Sequence, residues 1–151
     1  MHEFNSIIEI LDFAIGEEQA AVDFYLLLAA QSKSQQTKQI FQEYAEEEMR
    51  HKTNLISVKE TGSFHMEAQQ VRDLRISEYL VDVKPTPDMS YQDALILAMK
   101  KEKAAFRMYN TLAGKASDPK VKQVFERLAQ EESKHKLRFE IEYDEVVLKE
   151  N

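Results

Sequence analysis

The stretch Ala45-Glu46-Glu47-Glu48-Met49-Arg50-His51-Lys52 sets a carboxylate, Glu48, three residues before an imidazole, His51. The pattern returns 84 residues later in Ala129-Gln130-Glu131-Glu132-Ser133-Lys134-His135-Lys136, where Glu132 precedes His135. On an α-helix, residues i and i+3 stand about one turn apart on the same side. A Glu and a His so placed can close on one metal ion. A single Glu-x-x-His is weak, because charged helix faces produce it often. Two of them in matching register are a different matter.

The same offset aligns the rest of the chain. Glu18-Gln19-Ala20-Ala21-Val22-Asp23-Phe24-Tyr25 matches Glu102-Lys103-Ala104-Ala105-Phe106-Arg107-Met108-Tyr109, and Lys38-Gln39-Ile40-Phe41 matches Lys122-Gln123-Val124-Phe125. One shift of 84 brings both helix pairs into register without a gap, so the chain reads as one domain over residues 1–151 with an internal repeat of about 6–61 and 90–145. Chance likeness between amphipathic helices does not account for Glu, Tyr and Glu-x-x-His coinciding at a single offset.

Composition agrees with a helical reading. Gly and Pro number three each, too few for a turn-rich β protein, and Ala, Leu, Glu, Lys and Gln dominate. Hydrophobic residues make up 43% of 151, enough for one packed core. The net charge of −7 argues against a nucleic-acid or anionic-membrane partner. With no cysteine, disulfides, thiolate metal sites and Cys nucleophiles are excluded. The opening Met1-His2-Glu3-Phe4-Asn5 has no basic region before an apolar core, and the longest apolar run, Phe24 to Ala30, is too short to span a bilayer. The expectation is a soluble cytoplasmic protein.

Helix signals mark four long segments. Ser6 with Glu9 forms a capping-box pattern before a first helix that runs to about Gln31. Ser34 caps a second that runs to Thr61, with Gly62 as its natural end. In residues 63–89 the apolar Val71, Leu74, Ile76, Tyr79, Leu80 and Val83 suggest a short helix or a packed crossover, which Pro85 and Pro87 end. Ser90 with Asp93 caps a third helix to about Lys115, and Asp118-Pro119 opens a fourth. The short connections make two antiparallel hairpins, and the long one crosses the bundle.

The acids on these helices fall on apolar stripes. Around Glu18 the helical neighbours are Leu11, Ala14, Ile15, Ala21, Val22 and Tyr25; around Glu102 they are Leu95, Ala98, Met99, Ala105, Phe106 and Tyr109. Phe41, Tyr44 and Ala45 precede Glu48 as Phe125, Leu128 and Ala129 precede Glu132. Burying an ionised carboxylate without a partner costs several kcal/mol. No Arg or Lys lies on these stripes apart from Lys52 and Lys136, at +4 from Glu48 and Glu132, and each sits beside its His and can swing outward. Two divalent cations would balance four carboxylates and two neutral imidazoles. Oxygen-rich donors with some nitrogen suit iron or manganese, with zinc as a further option. Glu17 rivals Glu18 but breaks the repeat and lies off the apolar face. Tyr25 and Tyr109 follow their Glu by about 10 Å along the axis, as core tyrosines or as hydroxyls reaching a ligand carboxylate. Glu47 and Glu131 read as solvated, with a role in orienting a His as the alternative. His2 and His65 read as incidental.

One Glu from each of two helices, with Glu-x-x-His from each of the other two, resembles the ferritin-like di-iron carboxylate proteins. The local Glu-x-x-Ala-x-x-x-Tyr pattern, as Glu18, Ala21, Tyr25 and as Glu102, Ala105, Tyr109, is most similar to the rubrerythrin branch. The resemblance covers nearly the whole chain. It implies an all-α, ferritin-like four-helix bundle with Glu48 and Glu132 bridging two metals, Glu18 and Glu102 as terminal ligands, and His51 and His135 giving one nitrogen each. Rubrerythrins typically add a four-cysteine rubredoxin-like module, absent here, so electrons would come from a separate rubredoxin-like or flavoprotein donor. They also carry a further Glu one turn along the third helix, where this chain has Met99 or Ala105. The implied function is a di-iron oxidoreductase that reduces peroxide or O₂. The alternatives are ferroxidase or iron handling, and a non-enzymatic metal-binding or sensing bundle. Only 16 residues follow His135, which counts against a fifth helix and a storage cage. A homodimer is the expected assembly.

Overall fold

The computed structural model describes residues 3–150, and the side chains of residues 3–148; His2 lies outside them. Among the described residues the fold is helical, without a strand. In chain order come α1 (Ile7–Gln31), α2 (Gln35–Thr61), the short α3 (Ala68–Asp73), a 3-10 turn (Ile76–Tyr79), α4 (Tyr91–Lys115) and α5 (Pro119–Glu150). No described helix is long and apolar enough to cross a membrane.

Each long helix begins where a side chain can satisfy its first free N–H groups. Ser6 Oγ accepts from Glu9 N at 3.1 Å, Ser34 Oγ from Thr37 N at 3.3 Å and Ser90 Oγ from Asp93 N at 3.0 Å. Asp118 Oδ1 accepts from Lys120 N at 2.8 Å and Val121 N at 3.3 Å, with Pro119 in the first helical position. Gly62 ends α2 in the left-handed region, at φ 65°, where a side chain would be strained.

The helices α1 and α2 pack along each other, as do α4 and α5. The buried apolar side chains separate into two clusters. One holds Ile7, Ile10 and Leu11 of α1 with Leu55 and Val58 of α2, Leu112 of α4 and Phe125 of α5, and adds Val71 and Ile76 from the crossover. The other holds Leu28, Phe41, Leu95 and Phe139 from the opposite ends of the same four helices. Glu18, Glu48 with His51, Glu102, and Glu132 with His135 lie between these clusters in sequence along the four helices. Val83 departs from the expected pattern: it is 54% exposed. It lies in a non-helical stretch after the 3-10 turn, so helical spacing from Tyr79 and Leu80 does not place it on their side.

One end of the bundle breaks the repeat. At the first cluster, Ile7, Val58 and Val121 are all 5% exposed and apolar. Their counterparts at the other end are Tyr91, Glu142 and Thr37. Tyr91 Oη donates to Glu142 Oε1 at 3.2 Å and Thr37 Oγ1 donates to Glu142 Oε2 at 3.4 Å, which satisfies both oxygens of a carboxylate only 7% exposed. An unpaired buried polar group costs about 1–3 kcal/mol, whereas replacing all partners by apolar groups of like shape is nearly neutral. Glu142→Val alone should therefore lower stability by about 1–3 kcal/mol in urea unfolding. The triple variant Tyr91→Ile, Glu142→Val, Thr37→Val should recover most of that loss.

Candidate metal centre

Glu18 from α1, Glu48 and His51 from α2, Glu102 from α4, and Glu132 and His135 from α5 meet in the core, each between 1% and 3% exposed. Their donor atoms form two groups, Glu18, Glu48, His51, Glu132 and Glu48, Glu102, Glu132, His135, in each of which all donors lie within 4.8 Å of one another. Glu48 and Glu132 belong to both. The distances keep the symmetry of the sequence. His51 Nδ1 is 3.6 Å from Glu18 Oε2 and 3.0 Å from Glu132 Oε1, while His135 Nδ1 is 3.6 Å from Glu102 Oε1 and 3.0 Å from Glu48 Oε1. All six residues proposed from the sequence are thus brought together.

The imidazoles are held from behind, each by a carboxylate of the other's helix. Glu131 of α5 bonds His51 Nε2, and Glu47 of α2 bonds His135 Nε2 at 2.6 Å. Of the two readings open for these Glu, solvated or orienting a His, the structure shows the second: both are partly exposed, and each bonds an imidazole. Their partners are 80 and 88 residues away, so no local pattern reports them. A carboxylate that accepts from Nε2–H fixes the tautomer and leaves the Nδ1 lone pair facing the cluster. The His135 bond draws the Glu47 carboxyl below its ordinary range, ahead of the opposing effect of burial. Tyr44 stacks on the His135 ring at 4.0 Å between centroids; its repeat counterpart is Leu128.

The neighbouring positions separate cleanly. Tyr109 Oη donates to Glu18 Oε1 at 2.5 Å, leaving Oε2 for the cluster. Tyr25 is as deeply buried and its ring stands perpendicular to that of His135, 6.3 Å between centroids. Glu17, the rival of Glu18, is 44% exposed and pairs with Lys101 at 3.8 Å. Lys52 turns away to Gln19 and Lys136 to Glu140, both at 2.8 Å. His65, 87% exposed, takes no part.

Six buried atoms, one from each cluster residue, lack a hydrogen-bond partner: Glu18 Oε2, Glu48 Oε1, His51 Nδ1, Glu102 Oε2, Glu132 Oε1 and His135 Nδ1. The short Nδ1–carboxylate approaches are close contacts without hydrogen-bond direction. Buried polar atoms are almost always paired, so six convergent exceptions fit a cation-binding role. Without cations, protons must serve. Burial, then the charges of Glu132 and Glu18, push Glu48 well above the usual carboxylate range, and burial with Glu132 does the same to Glu102. Burial also opposes charge on His51 and Glu132, but is outweighed. The close approach of the Glu132 and Glu18 carboxylates pushes His51 up to about 11, and the close approach of His51, Glu48 and Glu102 draws Glu132 down to about 2.

The fold and this centre define a ferritin-like carboxylate domain. The chain belongs to the rubrerythrin family, whose model matches residues 9–143. No curated protein and no solved structure matched the chain.

The shifts fix how the metal-free protein responds to pH. Folded Glu48 and Glu102 keep protons that the unfolded chain releases above 4.5, and folded His51 keeps one that the unfolded chain releases near 6.5. In each case the native state holds more protons, so stability falls as pH rises. Glu132 acts in the opposite sense, but only between 4.5 and about 2. The melting temperature of chelator-treated protein should therefore fall steadily from pH 5 to pH 9.

Proposed function

We propose that the chain is a di-iron carboxylate oxidoreductase that reduces peroxide or O₂ with electrons from a separate donor protein. The supporting observation is the set of six unpartnered buried donor atoms, one from each of six residues, divided into two groups that share Glu48 and Glu132. In this reading α1 with α2 and α4 with α5 form antiparallel hairpins, and residues 63–89 cross between them. Glu48 and Glu132, which belong to both donor groups, would be shared between two ions, with Glu18 and His51 completing one set and Glu102 and His135 the other. Four carboxylates and two neutral imidazoles balance two divalent ions, and the oxygen-rich donor set suits iron.

When bound, an iron pair supplies two electrons to the oxidant at one site. The chain's own residues prepare that site. Glu47 and Glu131 hold the Nε2 protons, so each Nδ1 presents a lone pair. Tyr109 occupies one oxygen of Glu18 and so orients the other. The two apolar clusters on either side lower the polarity around the layer and strengthen the electrostatic contacts within it. No cysteine is present among these residues to ligate an electron-relay metal, and this reading takes the electrons from a separate donor protein.

Elemental analysis should find two metal ions per chain in protein from its native host, about one in Glu18→Ala, and close to none in Glu48→Ala or Glu132→Ala, which lose a donor from both groups. Unchanged metal content in the last two would overturn the assignment. Glu47→Ala and Glu131→Ala should weaken metal binding about 10–100-fold without removing a ligand. Iron-loaded protein should turn over hydrogen peroxide, given a reductant, faster than the same iron free in solution. Equal rates would leave iron handling or metal sensing, which need the same ligands, as the surviving function.

A further inference from the structure

The histidine side of the centre is closed, and the carboxylate side is open. A cavity of about 450 Å³ lies against Glu18, Glu48, Glu102 and Glu132, with Tyr25 and Tyr109 beside them. Neither His51, His135, Glu47 nor Glu131 lines it. Its walls are the same positions of both halves: Ala20 and Ala21 with Phe24 on α1, Ala104 and Ala105 with Met108 on α4. Leu80, Val81 and Pro85 of the crossover add further apolar surface. Glu17 and Lys101, again repeat counterparts, also line it and pair at 3.8 Å between the two helices.

This space is far larger than the oxidants named above require. A water molecule takes about 30 Å³ of liquid volume, and hydrogen peroxide has two oxygens. Cavities of about 300–1,000 Å³ hold organic molecules of many atoms. The four alanines create the hollow: larger side chains at those positions would fill it. Apart from the carboxylates and tyrosines at its inner end and the charged residues Glu17, Asp23, Lys84 and Lys101, the lining is apolar. A bare peroxide gains nothing from such a wall, whereas an alkyl or aryl group gains about 25 cal/mol for each Å² it buries.

We infer that the cavity takes an organic hydroperoxide, its apolar body between α1 and α4 and its O–O group toward the carboxylates. This rests on the redox reading of the centre and narrows its substrate class. The reaction balances as a two-electron reduction. The O–O bond breaks, each oxygen takes one proton, and the products are an alcohol and water. The two electrons come from the ferrous pair, one from each ion, and are restored by the one-electron donor protein.

Cumene hydroperoxide and its product alcohol, 2-phenylpropan-2-ol, test this on the full chain. The alcohol, added to metal-free protein carrying ¹³C-methyl methionine, should shift the Met108 signal saturably, with that signal assigned by Met108→Leu. In anaerobic single-turnover oxidation of the diferrous protein, the second-order rate constant for cumene hydroperoxide should exceed that for hydrogen peroxide at least tenfold. Ala104→Leu should lower that ratio at least tenfold and weaken alcohol binding. Ala21→Leu, on the facing helix, serves where Ala104→Leu does not fold. Oxidation by hydrogen peroxide with no alcohol binding and a ratio at or below one would overturn the inference and leave the redox centre standing. Oxidation by neither peroxide would bring down the redox reading, and the inference with it.

Discussion

Four carboxylates in the middle of a helical bundle set the terms for everything around them. Each is at most 3% exposed, and they are close enough to share donors in two groups. An ionised carboxylate in such surroundings is costly by several kcal/mol unless something positive answers it. Among the described residues no lysine or arginine does: Lys52 and Lys136, one helical turn beyond Glu48 and Glu132, bond Gln19 and Glu140 instead. The charge must be met by cations or removed by protons. Apolar clusters on both sides of the layer hold it in place. A donor set on four rigid helices is also far better fixed than one carried on loops.

The repeat gives this layer its symmetry, and departures from the repeat give it direction. Matching positions supply the four acids, the two histidines and the two carboxylates behind them. Where the halves differ, the pairs become complementary. Glu17 and Lys101 occupy one repeat position and form an ion pair. Tyr44 stacks on His135 where its counterpart is Leu128. Tyr109 reaches Glu18, while the Tyr25 ring stands perpendicular to that of His135. The two donor groups are therefore alike in donors and unlike in surroundings, which would give any ions they hold unequal affinity.

The long helices and their caps could be read from the sequence, because Ser6, Ser34, Ser90 and Asp118 act within a few residues of themselves. The convergence of Glu18, Glu48, His51, Glu102, Glu132 and His135 could be read too, since apolar neighbours at helical spacing reveal which face of a helix is inward. The family match over residues 9–143 agrees with the resemblance those residues carry. For Glu47 and Glu131 the sequence leaves two readings open, solvated or orienting a His, and the structure shows the second; a position at the edge of a buried face is solvated or bonded according to how the neighbouring helix is rotated. The Tyr91, Glu142, Thr37 cluster was missed, although a signal existed. Aligning the halves shows three polar residues against Ile7, Val58 and Val121. The cavity depends on the spacing of α1 and α4 and the seat of the crossover, which no local pattern encodes. Val83 shows the same limit, since its exposure follows from a loop path.

The exchange of carboxylates across the repeat has a consequence for the halves as separate objects. Glu18, Glu48 and His51 come from the first, but their group is completed by Glu132 of the second, and Glu48 returns the loan. Each histidine is likewise steadied by a Glu from the opposite half. A chain cut within the crossover would yield two fragments, each with an incomplete donor set and a histidine lacking its support. Neither fragment could assemble a full group from its own residues, but two copies of one half, related by a twofold axis, could reproduce the whole arrangement. The centre is in that sense a dimer interface enclosed in one chain, and metal occupancy would act as the clasp between its halves.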